Sequence, residues 1–91
     1  MSIVDLSVAA RHLSVELDED GDTVAEMLDR VERLVLDHLE REPYGEDEEV
    51  PVGVQQAVLL ALTEVYDKRD SNPLTDAVIS LLVPFRSPGV F

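Results

Sequence analysis

Apolar residues recur along this chain at steps of three and four, the spacing that lines one face of an α-helix. The clearest run is Val24, Met27, Leu28, Val31, Leu34, Val35 and Leu39, opposed by Glu26, Asp29, Arg30, Glu32, Arg33, Asp37 and Glu40. That is an amphipathic helix with one side for a core and one for water, ending before Pro43. Ahead of it, Leu6, Ala9, Ala10 and Leu13 share a face, predicting a shorter first helix from an N-cap at Asp5 to about Val15. Behind it lies EREPYGEDEEVPVG, a polar stretch broken by Pro43, Gly45, Pro51 and Gly53, expected as an exposed and mobile loop.

A third helix is predicted from about Val54 to Arg69. Its apolar set is Val54, Ala57, Val58, Leu59, Leu60, Ala61, Leu62, Val65 and Tyr66, which covers more than one stripe. A helix greasy on several sides must be covered on several sides, and in a chain of 91 residues a neighbouring copy is a natural second cover. A short last helix carries Leu74, Ala77, Val78, Leu81 and Leu82 on one face, with Asn72 suited to the N-cap, Pro73 to the first turn and Pro84 to the stop. The tail PFRSPGVF has no helical period. Its two phenylalanines are expected to leave water by docking on something. No strand is read. The expectation is one all-α domain, a small bundle of four helices with a long acidic loop, its helical body over 1–83 and an irregular docking tail over 84–91.

Charge changes this picture most. Residues 1–53 hold 16 acids against 4 arginines, a net of −12, while residues 54–91 hold 4 acids against 3 basic residues, a net of −1. A chain of net −13 cannot hold nucleic acid or an anionic membrane by neutralising phosphates. Its longest apolar run, AVLLAL, is far short of the roughly 20 residues that span a bilayer. The first residues, MSIVDLSVAARHL, lack a basic segment followed by a long apolar one, so no signal peptide is expected and the protein is taken to be made in the cytoplasm. With no cysteine there is neither a disulfide nor a thiolate metal site.

The stretch ELDEDGDTVAEM, residues 16–27, invites a calcium-loop reading, because acids cluster around one glycine. Placing Gly21 at the required glycine puts Met27 where the bidentate acid belongs, and starting at Asp18 puts Thr23 at the glycine and Asp29 at the last ligand. Neither frame works. Thr23 and Glu26 instead fit a T-x-x-E capping box at the start of the second helix, with the other acids before it where the helix dipole favours negative charge. His12 and His38 are the only histidines and lack a paired spacing, so ordinary structural roles are expected and no metal or other cofactor. There is no nucleophile elbow, no glycine-rich phosphate loop and no nucleophile with a nearby base, so no enzyme is expected. Tyr66, Lys68 and Arg69 concentrate positive charge at the end of the third helix. They complement its dipole there, or form a patch for an acidic neighbour.

The order of these features is similar to that of the phage head–tail connector family, the small adaptor proteins of long-tailed phages and prophages. The likeness spans nearly the whole chain. It is carried most by QQAVLLALTEVYDKR, residues 56–69, an apolar helix ending in a tyrosine and basic residues, and by LLVPFR, residues 81–86, a closing L-L-x-P-aromatic-R. The chain is more acidic than such proteins and has a shorter step between Arg69 and Leu74.

The resemblance implies a structural virion protein at the head–tail junction. Copies form a ring, typically of twelve, under the portal protein. The ring extends the DNA channel, lets DNA pass without specific binding, and docks a downstream stopper or tail-terminator protein. On this basis Leu59, Leu62, Tyr66, Lys68 and Arg69 are expected between subunits. Phe85, Arg86, Val90 and Phe91 are expected at the portal, since aromatics and arginine carry most interface energy. Glu46, Asp47, Glu48 and Glu49 are expected on the channel wall or the open surface. Three other classes compete: an acidic DNA mimic or antitoxin-like binder, another neck or tail-completion protein, and a calcium-responsive helical module.

Overall fold

The computed structural model describes residues 3–45, 47–68 and 72–85. Among them are four helices and no strand: α1 (Leu6–Leu13), α2 (Leu17–Leu39), α3 (Val52–Asp67) and α4 (Asp76–Leu82), with a 3-10 turn, Val83–Phe85, continuing from α4. The protein is a small all-α bundle, as the periodicity predicts. α3 is its centre, packing against α1, α2 and α4. From α3 come Val54, Ala57, Val58, Ala61, Leu62 and Val65, all buried. They meet Val24, Val31, Val35 and Leu39 of α2, Ala9 of α1, and Val78 and Leu82 of α4 in one continuous core.

Short helices need their ends defined, and two of them stop in the same way. Ser14 after α1 and Glu40 after α2 adopt the left-handed conformation, with φ of 59° and 55°. Ser14 N–H donates to Arg11 O at 3.1 Å and Val15 N–H to Ala10 O at 3.0 Å; Glu40 N–H donates to Asp37 O at 3.1 Å and Arg41 N–H to Leu36 O at 3.2 Å. Each is the paired-bond helix stop that usually takes glycine. Here it is made without one.

Three helix starts differ from expectation. α2 begins at Leu17, with Glu16 at the N-cap, so Thr23 and Glu26 lie inside the helix and form no capping box. Asp18, Glu19 and Asp20 occupy the first turn, where exposed amides and the dipole favour carboxylates, and this lets the helix run through Gly21. Asp5 does stand at the N-cap of α1, though its side chain makes no cap bond. α4 starts at Asp76 rather than at Pro73, and its cap is Thr75, whose hydroxyl accepts from Val78 N–H at 3.4 Å. Asn72 instead accepts from Leu74 N–H at 3.0 Å, turning the chain before the helix, while Pro73 is fully buried.

The expected mobile loop is pinned. Tyr44 is buried in the core, and the Arg41 guanidinium lies 3.7 Å from its ring centroid. Arg41 also donates from Nη2 to Glu48 Oε2 at 3.0 Å and from Nε to Glu42 O at 3.0 Å. The other carboxylate oxygen of Glu48 accepts from Gly45 N–H at 2.9 Å, and Glu48 N–H closes the turn on Gly45 O at 3.1 Å. Those two carboxylate bonds, the backbone one first, hold the Glu48 carboxyl below its ordinary range.

A glycine in a helix interior costs about 0.5–1 kcal/mol relative to alanine, whereas an alanine in an open acidic loop gains little. Gly21→Ala is therefore expected to raise stability by about that amount, a thermal midpoint gain of a few degrees for a chain this size. Calorimetric melting checks it, and an unchanged or lowered midpoint would return residues 17–22 to a loop.

Candidate interaction surface

The molecule is a slab, with principal extents of 46 × 31 × 17 Å. A helix with its side chains is already about 10 Å across, so a slab this thin cannot wrap its central helix completely. The unwrapped side of α3 is legible in its exposures. Val52 is 66% exposed, Leu60 and Tyr66 are each 38% exposed, and Leu59 is only partly buried. These positions lie on the arc opposite the buried set, with Gln56 and Thr63 between them. Exposed Val8 of α1 and Val83 after α4 add apolar surface elsewhere.

Next to this strip, α1, α3 and α4 enclose a shallow cleft of about 300 Å3, lined by His12, Gln56, Leu59, Leu60 and Leu81. One wall is fixed by a bond between helices. The Thr63 hydroxyl donates to Leu59 O at 3.1 Å, so its oxygen is left to accept from His12 Nε2–H at 2.8 Å. The sequence places His12 beside the polar side of its helix, and only the crossing of α1 over α3 shows its partner.

The expected intersubunit residues separate. Tyr66 and Lys68 are exposed, and Leu59 borders the cleft. Leu62 is a correction: it is fully buried in the chain's own core and offers no surface. Arg69 lies outside the described residues. Of the expected portal anchors, Phe85 is half-buried against the core, its ring so close to Gly53 that a β-carbon there would sit 2.6 Å from Cε2. The body therefore extends to Phe85 rather than ending at Val83. Arg86, Val90 and Phe91 lie outside the described residues. Asp47, Glu48 and Glu49 are exposed, Glu48 being held by Arg41 and Gly45, and Glu46 lies outside the described residues.

The acidic stretch becomes an ordered face. Asp18, Glu19, Asp22, Glu26 and Asp29 are exposed along α2, interrupted by Arg30 and by Arg33, which pairs with Asp29 at 3.0 Å. That exposed i,i+4 pair contributes only a few tenths of a kcal/mol. On a continuous helix these carboxylates fan outward. Among the described residues no group of three or more His, Asp or Glu is placed to hold a metal ion. Nor is any helix among them long and apolar enough to cross a membrane.

One acid leaves the polar face that periodicity assigns it. Glu32 is 8% exposed, and its Oε2 accepts the Val4 amide at 3.0 Å. Ile3 and Val4 are themselves buried, so this bond ties the segment before α1 onto α2 and places a carboxylate at the α1 N-terminus. Burial pushes the Glu32 carboxyl above its ordinary range, Asp29 adds to that, and the amides of Val4 and Ile3 pull the other way. His38 keeps a buried Nε2 with no hydrogen-bond partner.

No protein-family model matches this chain, and no curated protein and no solved structure is significantly similar to it.

A carboxyl raised in the folded state holds a proton that the unfolded chain has already lost. Its contribution is fully present below the ordinary carboxyl range and is lost as pH rises through the raised value. Glu32→Gln keeps an acceptor for Val4 and removes the titration. Unfolding free energies of the two proteins, measured by denaturant titration between pH about 4 and 7, are expected to diverge in favour of the glutamine variant as pH rises. Parallel profiles would contradict this.

Proposed function

We propose that this chain is a head–tail connector subunit of a long-tailed phage or prophage, assembling side by side into a ring beneath a portal protein. The observation that carries the proposal is the outer face of α3, where Val52, Leu59, Leu60 and Tyr66 leave apolar surface that one thin subunit does not cover. A ring is built from contacts in which one face of each copy meets a different face of the next, and it closes when the rotation between copies divides a full turn. α3 supplies one such face. Lys68, exposed at its end, suits an acidic counter-face, and residues 1–53 supply most of the acid.

In this role the subunit binds no ligand and performs no chemistry. The resemblance in residues 56–69 and 81–86 and the all-α fold support it. The charge is consistent with it too: carboxylates within about one Debye length of a passing duplex, roughly 8–10 Å at physiological salt, repel it and keep a channel from gripping DNA. Asp47 and Glu49 are the described loop acids suited to such a wall, with Glu46 beside them in sequence. The portal is met by Arg86, Val90 and Phe91, and the opposite rim of the ring presents a platform for the next neck protein. The site of action is the head–tail junction of the virion.

A second reading is favoured by one feature of α2. Its start at Leu17 turns Asp18, Glu19, Asp22, Glu26 and Asp29 into an ordered carboxylate row, which an acidic mimic of DNA requires. Salt-sensitive binding to a basic nuclease or repressor distinguishes that class. It leaves the outer face of α3 without a role.

The test is the size and symmetry of the particle formed by the full chain with and without a portal, viewed by electron microscopy. A closed ring with the portal is expected for the natural sequence. Tyr66→Glu, at an exposed position the core does not use, is expected to weaken ring formation roughly 10-fold or more, the loss typical of an aromatic anchor. A chain that stays monomeric under every condition would rule out the proposal.

A further inference from the structure

We infer that the cleft between α1, α3 and α4 is a docking site for this chain's own residues 86–91, with Val90 and Phe91 as the inserted side chains. The cleft is open, its walls include Leu59, Leu60 and Leu81, and its polar rim is His12 and Gln56. The described chain ends at its mouth. The Phe85 ring stacks on Gly53, and a β-carbon at Gly53 would also lie 3.8 Å from the carbonyl of Leu81, which is itself a cleft residue. Gly53 is less than one helical turn before Gln56 on α3, and Phe85 is about one turn after Leu81. The exit point and the cleft are thus built on the same two helix ends.

Length and composition fit. Leu60 lies roughly 10 Å along α3 from Gly53, at 1.5 Å per residue. The six residues Arg86–Phe91 reach up to roughly 20 Å when extended, twice what is needed. The excess permits a reversal, and Pro88-Gly89 is a dipeptide that makes one. The segment then ends in a β-branched residue and an aromatic, both apolar, which match an apolar cleft and have little reason to remain in water.

A second copy and an unrelated partner are the competing occupants. The tether decides against both in the lone subunit. Six residues hold Phe91 near the cleft at an effective concentration on the order of millimolar, which exceeds that of a second copy in an ordinary solution. The consequence is a self-covered subunit. The tail hides part of the α3 outer face until something displaces it, and displacement frees cleft and tail together. This arrangement concerns the lone chain and does not rest on ring assembly or on the identity of any partner.

The experiment is methyl and aromatic NMR on the full chain, kept dilute enough to sediment as a monomer. Cross-peaks from the Phe91 ring to methyl groups of Leu59, Leu60 or Leu81 are expected. Phe91→Ala is expected to shift those methyl resonances by removing the ring, while resonances of Val24 and Val35 in the core stay in place. A mixture of labelled and unlabelled chains separates the sources. Cross-peaks within one chain support the inference. Cross-peaks only between copies, or none in a folded chain, overturn it, and neither result bears on whether the protein assembles beneath a portal.

Discussion

Everything in this protein is arranged around the burial of one apolar helix. α3 contributes Val54, Ala57, Val58, Ala61, Leu62 and Val65 to the core, and α1, α2 and α4 each bury their own apolar face against it. At about 25 cal/mol per Å2 of apolar surface removed from water, this is the only large favourable term available to so small a chain. Three helices of 8, 23 and 7 residues cannot encircle a fourth of 16. The result is a slab with one side of its central helix still facing water. The exposed strip of Val52, Leu60 and Tyr66 and the cleft beside it are consequences of that shortage of cover.

The rest of the molecule holds its edges against the slab by polar contacts. Glu32 draws the Val4 amide down onto α2, His12 ties α1 to Thr63 on α3, and Arg41 clamps the long loop over Tyr44 through Glu48. Each contact spans sequence-distant or turn-forming residues, and each sits where two helices or a helix and a loop meet. Together they fix the relative placement of faces that apolar packing alone leaves free to slide.

Much of this was legible in residue spacing. The stripe from Val24 to Leu39 located α2 and its inner face, and the dense apolar set of α3 signalled both its centrality and its surplus. What the spacing could not carry was chemistry that cuts across it. Glu32 is spaced as a solvent residue, yet it is the acceptor for an amide 28 positions away, a pairing no local pattern contains. Tyr44 lies in a stretch of charge and proline, and only its neighbour Arg41 hints at a ring held under a guanidinium. The T-x-x-E box and Asn72-Pro73 were valid start signals outcompeted by neighbours: acids that accept a helix dipole from Leu17 onward, and a Thr75 hydroxyl that reaches Val78 N–H once Pro73 is taken into the core. Leu62 and Leu60 are two residues apart in one apolar run, and which of them is core is set by the direction from which α1, α2 and α4 approach.

The central claim is that the outer face of α3 is surface reserved for another copy of the chain. Because the sequence contains no cysteine, a single one placed at Tyr66 reports on that face alone. Its rate of reaction with a maleimide, followed in the lone subunit and again after assembly with a portal, is the most direct measurement. The account predicts ready reaction in the lone subunit and protection on assembly; equal rates in both states would contradict it.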